Sequence, residues 1–170
     1  MLATWIAAIM SRDLRALRRE IEAYRDERDL WRGAPGISNC GGTLALHLAG
    51  NIQFFVGTVL GATGYVRDRD AEFGRRDVPR TELLREIDAA LAAVERGVAR
   101  LPDAALSQPY PQPPGGFAVT TGDFLLHLVS HLTYHLGQVD YHRRLLTGQA
   151  GQIRAVSLGE IATAVPAARR

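Results

Sequence analysis

Four of the five histidines lie in one stretch, FLLHLVSHLTYHLGQVDYHRRLL, as His127, His131, His135 and His142. Residues four apart on a helix share a face, with Cβ atoms about 6 Å apart. Two imidazoles at that spacing can hold one ion. His127 with His131 fits, and so does His131 with His135; spacing alone does not choose. Gln138 follows His135 by three residues on the same side, where it can fix a ring or a bound water. His47 stands in an otherwise apolar segment and can add a third imidazole from a different helix. Buried imidazoles without partners are unfavourable. The column of rings therefore implies either a metal site or a polar network in the core.

Missing residues narrow the chemistry. There is no HExxH, the helix-borne motif of zinc proteases. There is no ExxH of the kind that builds ferritin-like di-iron sites. Cys40 is the only cysteine, which excludes a disulfide within the chain and a thiolate-rich metal site. All 20 basic residues are arginine, so no lysine can form a Schiff base. Three neutral imidazoles with open positions suit a divalent transition metal, Zn or Ni ahead of Cu or Fe. Such an ion can turn bound water into hydroxide near neutral pH or deprotonate an arriving thiol. A formal net charge of +2 is too small to argue for nucleic acid.

The elements that must position these residues are helices. Residues 4–31 place Trp5, Ile6, Ile9, Met10, Leu14, Leu17, Ile21 and Tyr24 at three- and four-residue steps, an amphipathic stripe that Gly33, Pro35 and Gly36 end. Residues 39–60 are apolar nearly all round, as in a helix at the middle of a bundle, with Ser38 or Asn39 as cap. Residues 61–79 are Gly-rich and charged and are expected to form a loop. A third helix is expected over 81–101, with Thr81 as its cap and Pro102 as its stop. Prolines 109, 111, 113 and 114 make 107–119 an extended connection. The histidine-bearing helix starts after Thr120, which has capping-box spacing to Asp123, and ends at Leu146 before Gly148. A short last helix is expected from Ser157 to just before Pro166. No alternating apolar run suggests a sheet. The expectation is an all-α four-helix bundle with long connections and a short extra C-terminal helix, one domain over residues 1–170. The N-terminus lacks a basic region and cleavage site, and no apolar run approaches the roughly 20 residues that cross a bilayer. A cytoplasmic protein without membrane or nucleic-acid partners is expected.

Motifs over most of the chain resemble the DinB/YfiT-like superfamily of metal-binding four-helix bundles, and within it an uncharacterised bacterial branch. Trp31-Arg32 is followed by Ser38-Asn39. Leu46-His47-Leu48-Ala49-Gly50-Asn51 is similar to that branch's helix-two signature, and Arg67-Asp68-Arg69-Asp70-Ala71-Glu72-Phe73 to its loop motif. His131-Leu132-Thr133-Tyr134-His135-Leu136-Gly137-Gln138 resembles the superfamily's H-x-x-x-H-x-G-Q, and Leu145-Leu146-Thr147-Gly148 matches its tail. The resemblance implies that His47, His131 and His135 are the metal ligands. It leaves His127 as a pocket residue and puts His142 at the end of the site or at the surface. It also implies a homodimer and, as in some members, a transferase or isomerase that uses a low-molecular-weight thiol such as bacillithiol or mycothiol. Two departures bear on the substrate more than the metal. Ile52-Gln53-Phe54-Phe55 stands where the branch often has Arg and Trp, and the Pro-rich connection over 108–119 is unlike the family's usual loop.

Asn51, one turn after His47, either faces the same site or makes a helix-packing hydrogen bond. Arg67, Asp68, Arg69, Asp70 and Glu72 are read as a salt-bridged structural run ahead of an anion-recognition rim. Cys40 is read as a capping-turn residue ahead of a thiol nucleophile, and Tyr134 as a packing residue beside His135. Three functions compete: thiol activation at the ion for a small-molecule substrate, hydrolysis by activated water, and a non-catalytic, stress-associated metal-binding dimer. No carboxylate adjoins the ligands in sequence to act as base, which favours thiol chemistry over hydrolysis.

Overall fold

The computed structural model describes residues 1–149, 153–161 and 163–167. Its helices are α1 (Leu2–Ala23), α2 (Gly41–Gly61), α3 (Arg69–Gly74), α4 (Arg80–Gly97) and α5 (Thr121–Thr147). Among the described residues there is no strand, only isolated bridges between Ala34 and Ile37 and between Pro109 and Thr120. The four long helices form the expected bundle. α1 and α2 occupy one diagonal, and each packs on both α4 and α5. Met10, Leu14, Leu17 and Ile21 of the α1 stripe are fully buried, each contributing about 1.5–3 kcal/mol. They share one core with Leu48 and Ile52 of α2, Ile87 and Val94 of α4, and Leu132 and Val139 of α5.

Several boundaries differ from expectation for local reasons. α1 ends at Ala23 rather than running to residue 31, because Tyr24 is extended. Asp26 Oδ1 then accepts from Arg28 N at 2.9 Å and opens a separate 3-10 turn, Glu27–Leu30. A short side-chain acceptor that satisfies a nearby N–H competes with helix continuation. α2 is capped by Cys40, not by Ser38 or Asn39; the buried thiol lies 3.2 Å from Thr43 Oγ1, in the capping-turn role. Within α2, Gln53–Thr58 is π-helical. By length and composition α2 matches a bilayer span, which no uninterrupted apolar run had indicated, yet 67% of its most apolar window is buried inside the bundle.

The 61–79 segment is not a loop throughout. It contains α3, capped by Asp68, whose Oδ1 accepts from Ala71 N at 2.9 Å. α4 starts at Arg80 behind Pro79 and ends at Gly97, where a Cβ would stand 2.3 Å from the Val56 carbonyl oxygen. α5 matches its expected signals: Thr120 accepts from Asp123 N, and Gly148 closes the helix with φ 66°. In place of a last helix there is one 3-10 turn, Leu158–Glu160; Ala162, within the expected span, lies outside the described residues.

Candidate metal centre

α2 and α5 bring His47 against His131 and His135. One ring nitrogen from each lies within 4.8 Å of the other two. His47 Nε2 and His131 Nε2 are 3.2 Å apart. Two nitrogens each bound at 2.0–2.1 Å to a tetrahedral ion stand about 3.3 Å apart, so this pair already has the separation such an ion requires. The His135 ring meets His131 and His47 edge-on, with centroids 4.6 and 5.5 Å away.

The protein also sets the tautomers. His47 Nδ1 lies 3.0 Å from Glu72 Oε2. A carboxylate only accepts, so Nδ1 carries a proton, and on the neutral ring that a metal requires Nε2 holds the lone pair. His135 Nδ1 lies 2.6 Å from Gln138 Oε1, an amide oxygen, with the same consequence for its Nε2. Burial pushes the His131 imidazole down to about 4, aided by the neighbouring His135, His47 and His127 and by Arg67. Burial lowers His135 too; the Gln138 bond opposes this and His47 adds to it. Both rings are therefore neutral at pH 7, the state a metal requires.

Glu72 is the functional residue that sequence reasoning missed. The α3 turn delivers it to the back of His47, where it is only 5% exposed. Arg67 clamps it from the other side, Nε to Oε1 at 2.7 Å and Nη2 to Oε2 at 2.9 Å. Burial alone would raise the Glu72 pKa, but the bonds from Arg67 and His47 outweigh it and hold the carboxyl below its usual range. Gly50 makes the room, since a Cβ there would fall 2.3 Å from Glu72 Oε1. Phe73, next on α3, packs on the His47 ring at 4.7 Å between centroids. A signal was present in the sequence: Asp68 is a good N-cap three residues before Ala71, a strong helix former.

The other candidates sort themselves by position. His127 is outside the cluster, exposed, and stacked between Phe124 and His131 at 5.9 and 6.2 Å. It lines a cavity of about 460 Å³ that also touches His131 and Asn51. Asn51 is 7% exposed, and its Oδ1 has no partner among the described residues. His142 is neither at the site nor at the surface. It is 1% exposed, with Nδ1 2.7 Å from the Tyr24 hydroxyl and Nε2 donating to the Arg32 carbonyl at 2.9 Å. Tyr134 is exposed rather than packed, its ring edge-on to His135.

A helical bundle with three imidazoles converging from two helices, two of them oriented by hydrogen bonds from behind, defines a class of protein able to hold a metal ion. The DinB superfamily model matches residues 10–139, a span that contains α2, α3, α4 and all three clustered histidines. The chain belongs to the DinB superfamily. No curated protein and no solved structure matches it.

Proposed function

We propose that this chain is a divalent-transition-metal enzyme, holding Zn or Ni through His47, His131 and His135 and activating a low-molecular-weight thiol for transfer to a small-molecule acceptor. The observation that carries this is the orientation of the rings: Glu72 and Gln138 hold the Nδ1 protons of His47 and His135, so two Nε2 lone pairs are kept for an ion. Among the described residues the cluster has three members, which leaves a coordination position for an outside ligand. A bound ion would supply one thing there, a lowered pKa for a thiol at that position. The chain supplies the rest. Glu72 fixes the orientation of the His47 ring, as carboxylates behind metal-binding imidazoles do.

Thiol chemistry is favoured over hydrolysis because both Glu72 oxygens are already engaged, Oε1 by Arg67 and Oε2 by Arg67 and His47. Glu72 lies on the Nδ1 side of His47, clamped by Arg67 and turned away from the side where the Nε2 atoms converge. A catalytic reading is favoured over a purely structural ion because the cavity reaches His131. A cytoplasmic homodimer, meeting through the end of α1 where Leu2 and Trp5 are exposed, belongs to the same proposal.

Elemental analysis of purified wild-type protein and the His135→Ala variant tests the site. About one ion per chain in the wild type and a large loss in the variant is expected; equal content in both would overturn the ligand set. Metal-loaded protein is then assayed with several thiols and an electrophilic acceptor. Absence of turnover with every thiol would remove the thiol chemistry and leave the metal site standing.

A further inference from the structure

The cavity beside the cluster has chemistry of its own. Its volume, about 460 Å³, is in the range that holds one small molecule. Phe55 of α2 and Phe124 of α5 form its walls edge to face, with centroids 5.0 Å apart, and Tyr110 backs Phe124 at 4.6 Å. Phe117 stands 73% exposed at the mouth. The Pro-rich connection that supplies Phe117 is tied to the π-helical stretch of α2, because the Tyr110 hydroxyl donates to the Phe55 carbonyl at 2.5 Å.

Charge and polarity narrow the occupant. Among the described residues lining the cavity there is no Arg, and Asp123 is the only carboxylate. Arg67 lies over the Phe55 ring at 5.4 Å, but its guanidinium is committed to Glu72. In the metal-free protein the lining therefore offers an anionic ligand no guanidinium as counter-charge. Asn51 is the buried polar side chain without a partner among the described lining residues: its Oδ1 lacks a donor. A buried amide oxygen left unpaired is unfavourable. Turning the amide about its broad terminal torsion exchanges Oδ1 and Nδ2, so an occupant bearing a donor can recruit the oxygen.

We propose that this cavity binds the body of the acceptor substrate, an uncharged planar aromatic molecule with an O–H or N–H group that donates to Asn51. The assignment as acceptor subsite rests on the metal-enzyme reading, whereas binding of the aromatic body does not require the ion. The Phe55–Phe124 pair, in edge-to-face contact, presents one aromatic surface on which a flat ring can stack or stand edge-on. A site built to pair a donor discriminates against a hydrocarbon of the same shape, because the buried acceptor then stays unpaired.

Phenol, indole, toluene and benzoate serve as probes, titrated by NMR into metal-loaded and metal-stripped protein. Phenol and indole are expected to bind both forms about 10-fold tighter than toluene, with benzoate weakest in the metal-stripped form. Asn51→Leu is expected to bring the phenol-to-toluene ratio close to one while metal content stays at the wild-type level. Should that variant not fold, Phe117→Ala, at an exposed position, is expected to weaken phenol and toluene alike by several-fold. An unchanged phenol preference in Asn51→Leu, unchanged affinities in Phe117→Ala, or benzoate binding metal-stripped protein as well as phenol does overturns the proposal. Failure here is distinct from failure of the metal reading. Phenol binding with metal content insensitive to His135→Ala sinks only the metal ligands, and a metal-loaded protein that ignores every aromatic probe sinks only the subsite.

Discussion

Helix α5 carries two histidine environments that differ in what each ring nitrogen meets. At His142 both nitrogens are used by the protein, one by the Tyr24 hydroxyl and the other by the Arg32 carbonyl. At the cluster, Glu72 and Gln138 occupy only the Nδ1 atoms of His47 and His135, and the remaining nitrogens converge. Both environments also depend on a glycine of α2. A Cβ at Gly41 would fall 2.4 Å from the Tyr24 hydroxyl, as one at Gly50 would collide with Glu72. Residue type and a glycine neighbour are therefore shared, whereas burial and saturation separate them: His142 is buried, and His131 and His135 are half-buried. An imidazole with both nitrogens on fixed oxygen partners joins helices; imidazoles whose Nε2 atoms meet only one another can exchange that contact for an ion.

The largest test of that difference is a pair of alanine variants. His47→Ala is expected to lower metal affinity by at least about 100-fold, a loss of one of three ligands. His142→Ala is expected to keep full metal content but lose about 2–4 kcal/mol of stability, since a buried ring is deleted and the Tyr24 hydroxyl and Arg32 carbonyl each lose a partner. Elemental analysis with calorimetric melting separates the two, and loss of metal from His142→Ala would erase the division. Glu72→Gln comes next. It keeps an acceptor for His47 but gives up the charge paired with Arg67, so about 10–100-fold weaker metal binding is expected in chelator competition; unchanged affinity would reduce Glu72 to a loop anchor. Gly50→Ala should act through the same carboxylate, with roughly 10-fold weaker binding. Gly137→Ala is its control, because a Cβ there meets nothing within 4 Å. That change should leave metal binding alone and stabilise α5 by about 0.5–1 kcal/mol.

The pH dependence is the shallowest test. An unfolded histidine takes its proton near pH 6.5, whereas folded His131 takes one only near 4. Between those values the unfolded chain binds more protons, so stability falls as pH drops through the window and is unaffected above it. His142, lowered by burial, contributes with the same sign. Metal-free protein should melt at lower temperature at pH 5 than at pH 7, and His131→Ala should flatten that difference. An equally steep profile in the variant would assign the effect to His135 and His142 instead.

Much of this was legible where the cause is local. The three- and four-residue stripe of α1, and Thr120 and Gly148 at the ends of α5, act within a turn or two of themselves, and the structure follows them. The overrun of α1 was also local: Asp26, the acceptor that opens the next turn, stands there in the sequence but was outweighed by an apolar stripe continuing to Tyr24. What the residues could not reveal depends on partners far along the chain. His142 is defined by Tyr24 and Arg32, 118 and 110 residues away. Glu72 belongs with His47 only once a six-residue helix folds back under α2, and in isolation its charged neighbours look like solvated surface. His127 and His135 have equal spacing from His131; α2 decides between them by placing His47 beside one pair.

The geometry of the cluster has a kinetic consequence. His47 and His131 are 84 residues apart. An ion held between them would join α2 to α5 as a removable staple across a long stretch of chain. Because ligand convergence requires both helices in place, the ion would bind the folded chain and not the unfolded one, adding about 2.7 kcal/mol at 100 times its dissociation constant. Chelation would then loosen the hold of α2 on α5 before the rest of the core responds. Protease resistance of the connection between α4 and α5 would rise and fall with metal supply.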